Sequence, residues 1–253
     1  MGLDRNGARR SAFWQRLQAA GTEPEDYAAF VCRWDENFYD ARVRKVGFIG
    51  GGQVLDAGCG FGQWTFALAH HNQRVVAVDQ RLEMTRAVRK LCERSGIENI
   101  HVVQGALPNL GLSKNSFDFI WCSLVLEYVD RDATMRLFRD LLRPGGRLYV
   151  STNARGRWLV KAIAGVLRND WNLVRVSART AFSRHASGAI PNRLDLVEVP
   201  THVGAYGLRL LALGSEGYVH LGHGNATPMP MFPTHLLGFL EQNIEFVCEK
   251  TTA

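Results

Sequence analysis

The segment Val54-Leu55-Asp56-Ala57-Gly58-Cys59-Gly60-Phe61-Gly62 constrains this chain more than any other. An apolar run ends in an acid and gives way to glycines at alternate positions, which reads as a buried strand turning into a helix. Glycine allows positive φ and close backbone approach, so the turn can pass tightly beneath a ligand. The helix that follows offers unpaired N–H groups and the positive end of its dipole. The acid at the strand end can accept a hydrogen bond from a ligand amine or hydroxyl. A turn of this composition suits a nucleoside-type cofactor.

Spacing narrows the choice. A dinucleotide fold uses G-x-G-x-x-G to seat a pyrophosphate on the helix N-terminus. Here the pattern is G-x-G-x-G, with an acid two residues before the first glycine. That acid repels a diphosphate and suits a ligand with an amine. The pattern points to S-adenosylmethionine, which carries an ammonium, a carboxylate and a sulfonium but no phosphate.

The surrounding pattern supplies the fold. Strands are predicted at Val54–Ala57, Val75–Asp79, Ile100–Val103, Phe117–Cys122 and Arg147–Ser151. Helices are predicted at Thr65–His71, Leu82–Arg94 and Asp132–Leu142, the last stopped by Arg143-Pro144-Gly145-Gly146. Such alternation gives a doubly wound, Rossmann-like α/β fold, here with a seven-stranded sheet, whose ligands bind outside the carboxyl ends of the strands. Residues 1–46 read as an N-terminal helical segment anchored by Phe13, Trp14, Tyr27, Phe30, Trp34, Phe38 and Tyr39. Residues 152–207 break the rhythm and read as an insertion after the fifth strand, with a helix over Trp158–Leu167. Further strands are expected at Leu208–Leu213, Tyr218–Leu221 and Ile244–Cys248.

Charge and cysteine content limit the setting. The net charge is +6, and residues 151–200 hold eight Lys and Arg against three Asp and Glu, so much of the excess lies in the insertion. The five cysteines form no C-x-x-C pair, so neither a zinc knuckle nor a disulfide framework is implied. The first residues lack an apolar core of a signal peptide, and no run of about 18 apolar residues occurs. A reducing cytoplasm is the expected setting.

Four motifs in order complete the picture: the glycine segment, Val76-Ala77-Val78-Asp79, Asn115-Ser116-Phe117-Asp118-Phe119-Ile120, and Leu141-Leu142-Arg143-Pro144-Gly145-Gly146-Arg147-Leu148. Together they resemble the class I S-adenosylmethionine-dependent methyltransferases, nearest to the methyltransferase type 11/UbiE-like small-molecule group. The resemblance covers about residues 50–151 and makes residues 47–253 the methyltransferase domain, with 152–207 as a substrate cap. It implies that Asp56, Gly58, Cys59, Gly60 and Gly62 hold the methionine end of the cofactor and that Asp79 accepts both ribose hydroxyls. It sets Gln80 beside the ribose and adenine, Gly105, Ala106 and Leu107 at the adenine edge, and Ser123 in the methyl-donor pocket. The family often has Gly-Asp-Ala after the third strand. Here Gln104-Gly105-Ala106 stands instead, so adenine recognition falls to backbone or to Gln104. The family's Leu-Glu-His after the fourth strand reads Leu126-Glu127-Tyr128, which removes the usual base and leaves Tyr128 for the substrate.

Methyl transfer from a sulfonium mainly requires alignment, worth roughly 7–11 kcal/mol, and a base only for a hydroxyl or acidic carbon. His185 and His202 are the candidate bases because they lie where the acceptor cap should be. Arg155 and Arg157, with Arg175, Arg179 and Arg184, suit a small anionic acceptor such as a phosphorylated or nucleotide-linked metabolite. His220-Leu221-Gly222-His223 lacks an accompanying acid or cysteine, so no metal is expected. The alternatives are a methyltransferase of RNA, one acting on a lipid or quinone with Trp158–Leu167 on an anionic membrane, and a non-catalytic partner protein. The RNA reading lacks an appended binding module, so nucleic acid is not the expected partner. Oligomeric state is not legible.

Overall fold

The computed structural model describes residues 15–16, 32–182, 193–222, 226–236 and 240–252. The chain divides into two compact units, residues 1–110 with 222–224 and residues 111–221 with 225–253. Of the seven strands of the larger sheet, three belong to the first unit and four to the second.

In the first unit the order is α1 (Glu36–Val46), β1 (Gln53–Ala57), α2 (Gln63–His71), β2 (Arg74–Asp79), α3 (Leu82–Ser95) and β3 (Ile100–Gln104). The strands are parallel, with Leu55 opposite Val76 and Asp79 opposite Gln104. Val54, Leu55 and Val75 to Val78 are all buried, as expected of strands covered on both faces. Helix α1 begins where Asp35 accepts a hydrogen bond from the Phe38 N–H and ends at left-handed Gly47. It docks on α2 through Tyr39, whose ring meets Trp64 edge-on at 4.8 Å. Asn72 ties the connection together. Its amide donates to the Phe48 and Leu68 carbonyls and its oxygen accepts from Gly51.

The second unit holds β4 (Phe117–Ser123), a 3₁₀ turn at Leu126–Tyr128, α4 (Arg131–Leu141), β5 (Leu142–Asn153), α5 (Arg155–Leu167) and α6 (Trp171–Phe182). A second 3₁₀ turn (Leu196–Glu198), α7 (Val199–Ala205) and β6 (Leu208–Ser215) follow. The unit ends with the short pair β7 (His235–Leu236) and β8 (Leu240–Glu241), then β9 (Asn243–Lys250). Parallel β4 and β5 continue into β9, which runs antiparallel between β5 and β6. Trp121 stacks on Tyr149 at 3.8 Å in the core, and the Tyr149 hydroxyl donates to the buried Glu245 carboxylate.

The predicted strands of the alternating region are all present, most a residue or two longer than expected. Two readings need correction. Residues 218–221 form no strand: the Tyr218 N–H bonds back to Ser215 and the Val219 N–H goes to Glu245, so the chain turns out of the ladder. The stop at Arg143–Gly146 is also part of β5, since pairing begins with Leu142 opposite Phe117. Gly145 supplies the positive φ there, and Gly146 admits the β4 backbone, because a Cβ would lie 3.0 Å from the Phe117 carbonyl. The basic stretch after Leu167 is a second helix, α6. Most of the N-terminal segment, together with Arg184 and His185, lies outside the described residues.

Candidate functional site

The glycine turn of the first unit is built on backbone. The Gly58 and Cys59 N–H groups both donate to the Val78 carbonyl at 2.8 and 2.9 Å, which fastens the turn to β2. Gly58, Gly60 and Gly62 all have positive φ, at 79°, 53° and 89°, so the chain reverses in a form that a side chain would strain. Gly62 then starts α2 without a capping side chain.

Asp79 ends β2 at the same edge. One carboxylate oxygen accepts the Gly60 N–H at 3.0 Å and the other accepts the Arg81 N–H at 2.9 Å. Each oxygen keeps a further lone pair for a ligand hydroxyl. Asp56 is 1% exposed and accepts from the Thr65 hydroxyl at 2.6 Å. Burial pushes its carboxyl up to about 7, against the Thr65 bond and with help from the Asp79 charge. A ligand ammonium would favour the ionised form. Gln80 and Ala106 are exposed, while Gly105 and Leu107 are half-buried. The Gly105 N–H donates to the Asp79 carbonyl, and the Gln104 amide donates to the Gln80 carbonyl at 3.3 Å. The sequence-predicted residues of this unit therefore gather around the carboxyl ends of β1, β2 and β3. The Cys59 thiol is buried in a cluster with Ala77, Val88 and Cys92, and burial holds its pKa well up. The turn with its two acids fits a cofactor bearing an amine and vicinal hydroxyls.

At the carboxyl ends of β4 and β5, in the second unit, Ser123 and Ser151 pair through their hydroxyls at 2.8 Å. Leu124 follows with a φ of 58°, rare for a branched residue and a feature that clusters at functional sites. Glu127 is 1% exposed and accepts from Thr152 and Asn153 at 3.2 and 2.5 Å. Burial raises its pKa to about 7, offset in part by those hydrogen bonds and by the charge of Lys161. Arg157 and Lys161 lie one turn apart on α5, over the rings of Phe232 at 4.8 Å and Trp158 at 4.1 Å. Burial lowers the pKa of both. Tyr128 is 61% exposed, and its charge when ionised would act on Arg157.

The remaining candidates sit apart from that group. Arg155 is held by Asp195, which accepts its backbone N–H and faces its guanidinium at 3.2 Å. His202 packs edge-on against Tyr206, among Arg131, Asp132 and Glu198, and burial together with Arg131 pushes its pKa down to about 4. It is neutral at pH 7 and a weak base. Arg175 and Arg179 are exposed on α6, and Ile163, Val166, Leu167 and Trp171 are exposed at the α5–α6 turn. Among the described residues no helix is long and apolar enough to cross a membrane. Sequence reasoning passed over Glu127, Thr152, Asn153 and Lys161. The polar run Ser151-Thr152-Asn153 after an apolar strand, and the i, i+4 spacing of Arg157 and Lys161, were the available signals.

Residues 54–146 match the methyltransferase domain family. The ubiquinone biosynthesis O-methyltransferase of Xanthomonas axonopodis pv. citri is 35% identical over 151 residues, covering 59% of this chain and 59% of that protein. Its namesake from Xylella fastidiosa is 38% identical over 150 residues, covering 54% and 61%. The chain thus spans about three fifths of the length of these relatives. Geranyl diphosphate methyltransferase, solved in complex with S-adenosylmethionine, shares the fold at a TM-score of 0.62 over 92% of this chain and 95% of that one, with 14% identity. Residues 54–146, which hold the glycine turn and its acids, are thus similar to a class I S-adenosylmethionine-dependent methyltransferase domain.

Proposed function

We propose that this protein transfers a methyl group from S-adenosylmethionine to a hydroxyl oxygen of a small acceptor that carries a negative charge. The observation that carries the acceptor reading is the pair Arg157 and Lys161, two partly buried cations on one helix turn without a carboxylate among the described residues in hydrogen-bond contact with either head group. An acceptor carboxylate or phosphate would offset their desolvation. The choice of oxygen follows the two relatives, whose names describe O-methyltransferases.

S-adenosylmethionine supplies the electrophilic methyl group. In this reading Asp79 accepts the ribose hydroxyls, the glycine turn and Asp56 hold the methionine end, and the backbone at Gly105 to Leu107 meets the adenine. Ser123 and Tyr128 border the acceptor. Glu127 acts as a positioning residue, because it holds Thr152 and Asn153. The cationic pair also favours the ionised form of an acceptor hydroxyl, which gives its proton to solvent before the methyl group is transferred.

Calorimetric titration with S-adenosylmethionine tests the donor half. Loss of two hydrogen bonds to a charged group, at roughly 1.5–3 kcal/mol each, predicts at least about a hundredfold weaker binding in Asp79→Ala. Transfer of labelled methyl to a panel of hydroxylated aromatic carboxylates and phosphates tests the acceptor half. Arg157→Ala with Lys161→Ala should raise the acceptor KM about tenfold or more and leave cofactor affinity alone. An unchanged KM would remove the anionic-acceptor reading.

A further inference from the structure

We propose that Asp40, His70 and His71 form a binding site for a divalent transition-metal ion, with zinc the best fit. The three lie in the first unit, where α1 crosses the last turn of α2. Asp40 Oδ1 stands 3.0 Å from His70 Nδ1 and 2.6 Å from His71 Nε2, and the three ligand atoms fall within 4.8 Å of one another. Two imidazoles and one carboxylate are a familiar zinc ligand set, with bonds of about 2.0–2.2 Å. Tetrahedral ligands at that radius are roughly 3.3 Å apart, so the two contacts to Asp40 need to lengthen by only some tenths of an ångström.

The surroundings favour a cation. His70 and His71 end α2, where the helix dipole presents its negative pole. A cavity of about 740 Å³, bordered by Asp40, His70, Glu36 and Glu98, gives an ion a way in. The His70 side chain is 76% exposed, which leaves room for a water as fourth ligand. Two cations among the described residues oppose the ion: Arg44 contacts the other Asp40 oxygen at 3.2 Å, and Arg16, which borders the same cavity, pairs with Glu36. The site lies about 12 Å along α2 from the glycine turn. Its role is therefore to fasten α1 to α2 rather than to act on the methyl acceptor. Sequence reading expects no metal and weighs only His220 and His223. The present cluster joins residues thirty positions apart, which no short motif reveals.

Protein free of any histidine tag, titrated with Co²⁺ and then Zn²⁺, tests the proposal. One equivalent of Co²⁺ should give the visible absorption of a low-symmetry site, and Zn²⁺ should displace it. His70→Ala, at an exposed position that tolerates truncation, should abolish binding, as should Asp40→Asn. Arg44→Ala should tighten binding several-fold, and Asp79→Ala should leave it unchanged. Absence of saturable binding in the wild type, or binding that survives His70→Ala with His71→Ala, would overturn the proposal. So would a melting temperature that falls in His71→Ala by the same amount with and without Zn²⁺, because the cluster would then be a hydrogen-bonded clamp only.

Discussion

Replacing Glu127 by glutamine should change protein stability in opposite directions at low and high pH. Glu127 is buried, and its pKa rises from an ordinary 4.5 to about 7. The folded protein therefore keeps this proton up to about pH 7, while the unfolded chain releases it near 4.5. The resulting stabilisation is complete below pH 4.5 and is lost as the pH rises through 7. At ~1.4 kcal/mol per pH unit, the loss across that window is roughly 3 kcal/mol. Glutamine does not titrate, so the variant lacks this slope. It carries a separate cost. Thr152 and Asn153 donate to the two Glu127 oxygens, and glutamine presents only one oxygen. Asn153 cannot turn over to compensate, because its own oxygen accepts from Asn243 at 2.9 Å. One mispaired buried donor costs about 1–3 kcal/mol. Near pH 4.5 the variant should be less stable by about that amount, and at pH 8 it should equal or exceed the wild type. Urea unfolding followed by tryptophan fluorescence at both pH values measures this. A stability difference that is the same at the two values would refute the reasoning.

Two further substitutions test the framework. Asn72→Ala leaves the Gly51 N–H and the Phe48 and Leu68 carbonyls without their buried partner, so chemical denaturation should show a loss of about 3 kcal/mol or more, at about 1 kcal/mol or more for each orphaned group; a loss under about 1 kcal/mol would count against it. Gly146→Ala places a Cβ at 2.9–3.2 Å from the carbonyls of Arg143, Phe117 and Asp118, which cannot give way as a flexible side chain would, so the melting temperature should fall with a cost of about 1–3 kcal/mol, whereas a neutral effect would mean that β4 and β5 are less tightly paired than described.

Much of this protein is determined by local sequence. The strands β1 and β2 show because covered parallel strands are continuously apolar, and of the helices α3 shows by the Gly96 that ends it and α4 by the Asp130 that caps it. The glycine turn and Asp79 are legible for the same reason, since positive φ at three alternate positions admits few residues but glycine. Tertiary packing decided the rest. Whether Tyr218–Leu221 joins a ladder depends on Glu245, a buried carboxylate on β9 that captures the Val219 N–H. Arg155 and Arg157 are equivalent in sequence, and Asp195, 40 residues on, holds the first while the second lies over Phe232. Glu127 shows its altered acidity only once folding removes water from it, and Asp40 meets His70 and His71 only when α1 lies across α2. Periodicity and turn chemistry act between near neighbours and can be read along the chain. Burial, charge pairing and ligand geometry act between residues far apart in sequence, and only the folded chain brings them together.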